Sequence, residues 1–104
     1  MPRFTIAVLT ALLLFPAARA AAAEKLSVTA DQMKVALRTD SVEDDGFIED
    51  AVDRVTNDSR PRAERLPAAM VEGTFQWARR KPRLKFQYFK HGLTVRAARI
   101  GVDL

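Results

Sequence analysis

The sequence predicts an all-α domain of three or four helices, and two observations carry that expectation. Large apolar side chains recur every three or four residues between Met33 and Leu104, the spacing that gathers them on one helical face. Helix start and stop signals punctuate the same stretch: Thr29 ahead of Gln32, acids at 43–45, Pro67, and Pro82 after a run of cations. An α+β arrangement with a hairpin over 84–99 is the alternative.

Ahead of these helices, Arg3 gives a positively charged start, and Phe4 to Phe15 is an uncharged, mostly apolar run closed by Pro16. Ala18-Arg19-Ala20 fits a small-x-small cleavage pattern, and Ala21-Ala22-Ala23 offers a second one. A helix of that length rises only about 18 Å, too short for a hydrocarbon core of about 30 Å. Residues 1–23 are therefore expected to be a secretory signal, removed after Ala20 or Ala23, rather than an anchor or a core helix. That expectation places the mature protein in the periplasm or outside the cell.

Residues 24–104 then form one small domain. Thr29 and Gln32 have the spacing of a capping box, so a first helix is expected over 30–38 with Met33, Ala36 and Leu37 inward. Asp40 to Gly46 reads as an acidic turn, with Asp44 or Asp45 capping a second helix. Phe47, Ile48, Ala51, Val52 and Val55 make its stripe. Asn57 to Pro67 is polar and reads as the longest loop. Pro67 suits the first position of a third helix, whose inward face is Met70, Val71, Thr74, Phe75 and Ala78. Arg79-Arg80-Lys81 sits at its carboxyl end.

The last stretch carries two patterns at once. Leu84, Phe86 and Tyr88 alternate as in a strand, and so do Leu93, Val95 and Ala97. Phe86, Phe89, Leu93, Ala97, Ile100 and Leu104, by contrast, keep helical spacing over about five turns. The longer pattern favours a helix, with Gly92 as a turn, a cap or a kink.

Cysteine is absent, which excludes disulfides, thiolate metal sites and a thiol nucleophile. A domain this small buries only about 60–65% of its unfolded surface, so helix packing or self-association has to stabilise it. The only histidine, His91, has no acid within ten residues on either side, and Ser27, Ser41 and Ser59 lie in no nucleophile context. Ser41 to Glu49 is similar to the middle of a calcium-binding loop, with Gly46 at the sharp turn. Ser41 and Val52, however, occupy the positions where the first carboxylate and the bidentate Glu belong. No catalytic residue, metal site or cofactor is expected. A small envelope enzyme or enzyme inhibitor is the runner-up to a binding or structural role.

Charge is distributed unevenly. Residues 24–58 hold ten acids and four bases, whereas 59–104 hold three acids and eleven bases, and no acid occurs from Ala78 to Val102. Either the halves pair with one another, or the second half presents a basic face to an anionic partner. The candidate binding residues are Arg79, Arg80, Lys81, Arg83, Lys85, Lys90, Arg96 and Arg99, with Tyr88 and Trp77 as candidate aromatic contacts. Phe86 and Phe89 fall on the apolar stripe and are assigned to the core. The expected partner is an anionic envelope polymer, a lipid surface with Trp77 at the interface, or an acidic protein. Nucleic acid is a poor fit for an exported protein, although aromatics interleaved with cations suit it chemically.

The runs Phe75-Gln76-Trp77-Ala78-Arg79-Arg80-Lys81-Pro82, Lys85 to Leu93 and Arg96 to Gly101 resemble a set of short exported bacterial proteins. Asp44-Asp45-Gly46-Phe47-Ile48 belongs to the same pattern. The similarity covers about half the chain and implies no activity.

Overall fold

Thr29 begins the first helix as its side chain dictates. Its hydroxyl accepts the Gln32 N–H at 3.1 Å, and Gln32 Oε1 accepts the Thr29 N–H at 2.9 Å. This box opens α1, Ala30–Leu37, in a computed structural model that describes residues 25–104. The expected signal segment lies outside the described residues. α1 buries Met33 and Leu37 and stops one residue short of the expected end. Arg38 turns left-handed there (φ 57°), and the Thr39 N–H donates back to the Lys34 carbonyl at 3.1 Å.

α2, Val42–Thr56, starts earlier than the acidic turn suggested. The cap is Ser41, not Asp44 or Asp45: its hydroxyl accepts the Asp44 N–H at 3.1 Å. Glu43, Asp44 and Asp45 occupy the first turn, where the positive end of the helix dipole favours them. The calcium-loop-like segment is consequently helix, and Gly46 lies inside it. α2 buries Ile48, Ala51 and Val55. Half-buried Phe47 sits edge-on to Phe86 and Phe89, with ring centroids 5.9 and 6.0 Å apart.

The connection after α2 contains a 3-10 turn, Arg62–Glu64, and buries Leu66, whose N–H donates to the Arg54 carbonyl at 3.1 Å. Pro67 caps α3, Ala68–Arg79, from just outside rather than serving as its first residue. Val71, Thr74, Phe75 and Ala78 face inward as expected, with Met70 packed partly against the core. Ser27 donates both its backbone N–H, at 2.8 Å, and its hydroxyl to Glu72, tying the segment before α1 to α3.

α4, Lys85–Arg99, decides the ambiguous stretch: it is one helix, and the hairpin does not form. Phe86, Phe89, Leu93 and Ala97 are buried, so the four-residue stripe outweighs the alternation. Gly92 lies inside the helix. The stripe ends sooner than its spacing implied, because Ile100 is 51% exposed. Gly101 (φ 84°) reverses the chain, with the Gly101 N–H donating to Ala98 and the Val102 N–H to Ala97. This left-handed cap buries Val102 where Ile100 was expected.

The described residues thus form a four-helix, all-α fold around one core centred on Met33, Leu37, Ile48, Val71, Phe75, Phe89 and Leu93. α3 and α4 make the most extensive pairing and run antiparallel through the turn at 80–84. Among the described residues no helix is long and apolar enough to cross a membrane.

Candidate functional site

Every ion pair among the described residues lies between positions 31 and 65. Lys34 reaches Asp31 and Glu49, Arg54 reaches Asp50, and Arg65 reaches Asp58. Arg60 holds three carboxylates: Asp50 and Asp53 at 2.6 Å and Glu64 at 3.2 Å. Its guanidinium keeps the Asp53 carboxyl below the usual carboxylate range, and Glu49 in turn raises the Lys34 ammonium. The acidic first half is therefore paired largely within itself and with Arg60 and Arg65. None of the eight candidate cations between 79 and 99 has a carboxylate within 4 Å among the described residues.

Those eight cations do not share one role. Lys85 donates to the carbonyls of Arg79, at 2.8 Å, and of Lys81, so its ammonium closes the carboxyl end of α3. A cation there meets both orphan carbonyls and the negative end of the dipole. Arg96 reaches the buried Thr74 hydroxyl at 2.7 Å and lies 5.3 Å from the Trp77 ring centroid. The Thr74 hydroxyl in turn donates a hydrogen bond to the Met70 carbonyl at 2.7 Å. Lys85 and Arg96 thus fasten α3 to α4.

A laddered seam explains this arrangement. Thr74 and Trp77 on α3 and Lys81 in the turn after it follow at spacings of three and four, while Tyr88, Gly92 and Arg96 run along α4 at spacings of four. The rungs pair in antiparallel order. Lys81 Nζ lies 4.7 Å from the Trp77 centroid and 5.0 Å from that of Tyr88. Trp77 and Tyr88 meet edge-to-face at 5.7 Å. A Cβ on Gly92 would come within 2.9 Å of the Trp77 ring, so glycine makes room for the indole. Both rings stay partly open, Trp77 at 37% and Tyr88 at 42% exposure.

Arg79, Arg80, Arg83, Lys90 and Arg99 remain as exposed cations outside this seam. Arg79 stacks over Phe75 at 5.5 Å and Lys90 over Phe47 at 5.7 Å, which directs their stems along apolar surface. Arg80 and Arg83 flank the turn itself. Asp40 and Asp44 share a small cleft of about 230 Å³ with Arg83 and Leu84. Those acids border the basic surface on one side. A larger groove, about 1280 Å³, lies elsewhere, between the 25–30 segment, α2, the loop at 62–67 and the start of α3. It includes none of the eight cations. His91 is exposed on α4.

Three contributors were not singled out from the sequence: Thr74 as an anchor, Gly92 as a ring seat, and Leu84 at the turn. The spacing 74-77-81 against 88-92-96 carries the signal for the first two. It becomes visible only once the antiparallel register is known. Comparison with protein-family models, curated proteins and solved structures finds no match to the chain.

Proposed function

We propose that this is an exported, non-enzymatic binding protein that holds an anionic partner through the basic face of α3 and α4. One observation carries the reading. Between 34 and 65, Lys34, Arg54, Arg60 and Arg65 are paired with carboxylates and only Arg38 and Arg62 are not, whereas Arg79, Arg80, Lys81, Arg83, Lys90 and Arg99 all have no carboxylate within 4 Å among the described residues. Unpaired cations concentrated in one part of the molecule raise the local concentration of anions, and the effect weakens as salt shortens the Debye length from about 10 Å at 0.1 M to about 3 Å at 1 M. Export rests on the apolar run at 4–15 and the small-residue sites that follow it.

The test is retention on an immobilised polyphosphate column across a salt gradient. Retention at low salt that is lost before about 0.5 M supports the reading. Flow-through at low salt sinks it and leaves a role through apolar or neutral contacts.

A further inference from the structure

We propose that the anionic partner is a lipid surface, and that the α3–α4 turn enters it with Leu84 leading and Trp77 and Tyr88 at the interface. This rests on the basic face described above and names its partner. Leu84 combines two unfavourable features: it is left-handed (φ 55°), and its side chain is 61% exposed. A residue with a Cβ is strained in that conformation, and glycine would relieve it. The conformation leaves an apolar side chain exposed at the end of the turn, where it also borders the small cleft that holds Asp40 and Asp44.

Cations outnumber the two cleft aspartates around Leu84, and two aromatic rings follow along the helices. Leu84 lies between Arg83 and Lys85, with Arg80 and Lys81 just before Pro82. Lys85 is committed to the α3 carbonyls and holds the turn in shape, which leaves Arg80, Lys81 and Arg83 to meet headgroups. Next along the two helices comes the partly exposed Trp77–Tyr88 pair. Aromatic rings with one polar edge favour the headgroup level, and cations beside them favour anionic lipids. A soluble polyanion would use the same cations and leave Leu84 in water. Each cation near an anionic bilayer contributes about fivefold in affinity, and burial of one leucine about tenfold.

Trp77 is the only tryptophan in the chain, so its emission reads this surface directly. The full chain is titrated with phosphatidylglycerol-containing vesicles, neutral phosphatidylcholine vesicles and soluble polyphosphate, beside Leu84→Gly. Comparing the two chains in the same background cancels any contribution from residues 1–23. Glycine accepts the left-handed conformation, and a melt of each chain shows that the fold is kept. The expected result is a blue shift of Trp77 on anionic vesicles, lost at high salt, with Leu84→Gly binding them about tenfold more weakly and polyphosphate equally well. Three results overturn the proposal: no blue shift on anionic vesicles, an equal shift on neutral vesicles, or Leu84→Gly matching the parent. Polyphosphate binding that persists in those cases leaves the anionic-partner reading standing. Loss of binding to polyphosphate and vesicles alike removes both.

Discussion

Gly73 and Gly92 both lie inside helices, yet their surroundings set them apart. Nothing lies within 4 Å of where a Cβ would stand on Gly73, whereas on Gly92 it would meet the Trp77 ring at 2.9 Å. Alanine is better than glycine in a helix interior by about 0.8–1 kcal/mol. Gly73→Ala is therefore expected to raise stability by about that amount in chemical denaturation. Gly92→Ala is expected to gain less or to lose stability, and to change Trp77 emission as the ring is pushed off its seat. Equal gains from both variants would mean that the indole does not depend on Gly92. The two glycines look alike in the sequence. What separates them is a neighbour on another helix, which no local pattern records. The same holds for Arg96, one of eight similar cations until Thr74 and Trp77 are seen beneath it.

The helices themselves were readable because each carries its own stripe. Met33 and Leu37, Ile48, Ala51 and Val55, Val71, Phe75 and Ala78, and the four buried residues of α4 all fall at spacings of three or four. Boundaries were harder, since several residues compete to cap each end. Asp44-Asp45-Gly46 looks like a turn, but Ser41 caps three residues before Asp44 and leaves all three acids in the favourable first turn. Ser41→Ala is thus expected to cost about 1 kcal/mol, and Asp44→Ala, which loses only a dipole interaction, about 0.3–0.5 kcal/mol. The reverse ranking in urea unfolding would return the cap to the aspartates. At the other end of the chain, the apolar spacing pointed through Ile100, and Gly101 redirected it to Val102.

For the molecule as a whole, charge acts in two separate ways. Within residues 31–65 it forms ion pairs; between 79 and 99 no cation has a carboxylate within 4 Å among the described residues, and the proposed function leaves these for an outside partner. The folded state has a pH signature. Arg60 lowers the Asp53 carboxyl, and the Ser27 hydroxyl and backbone N–H lower that of Glu72. A carboxyl lowered by folding adds stability above its unfolded value, near 4, and that stability is lost as pH falls through the folded value. Lys34, raised by its bond to Glu49, works in the opposite sense. Its contribution is present below about 10.4 and is lost at higher pH. Thermal melts are expected to give a plateau between about pH 5 and 9 with a fall below about pH 4. A maximum near pH 4 would contradict the assignment of Asp53 and Glu72. The uneven charge was plain in the sequence, but which cations were spoken for was not, since ion pairing depends on where Arg60 is held after α2.

Polyphosphate affinity at low salt, measured for two variants beside the parent, tests this division most directly. Arg80 and Arg83 are exposed and have no carboxylate within 4 Å among the described residues, whereas Arg60 holds three carboxylates. Replacing Arg80 and Arg83 together by Gln is expected to weaken binding about tenfold or more with little change in melting temperature. Arg60→Gln is expected to lower the melting temperature while the folded protein binds as the parent does. Undiminished binding after loss of Arg80 and Arg83, or equal loss of binding by folded Arg60→Gln, would contradict that division.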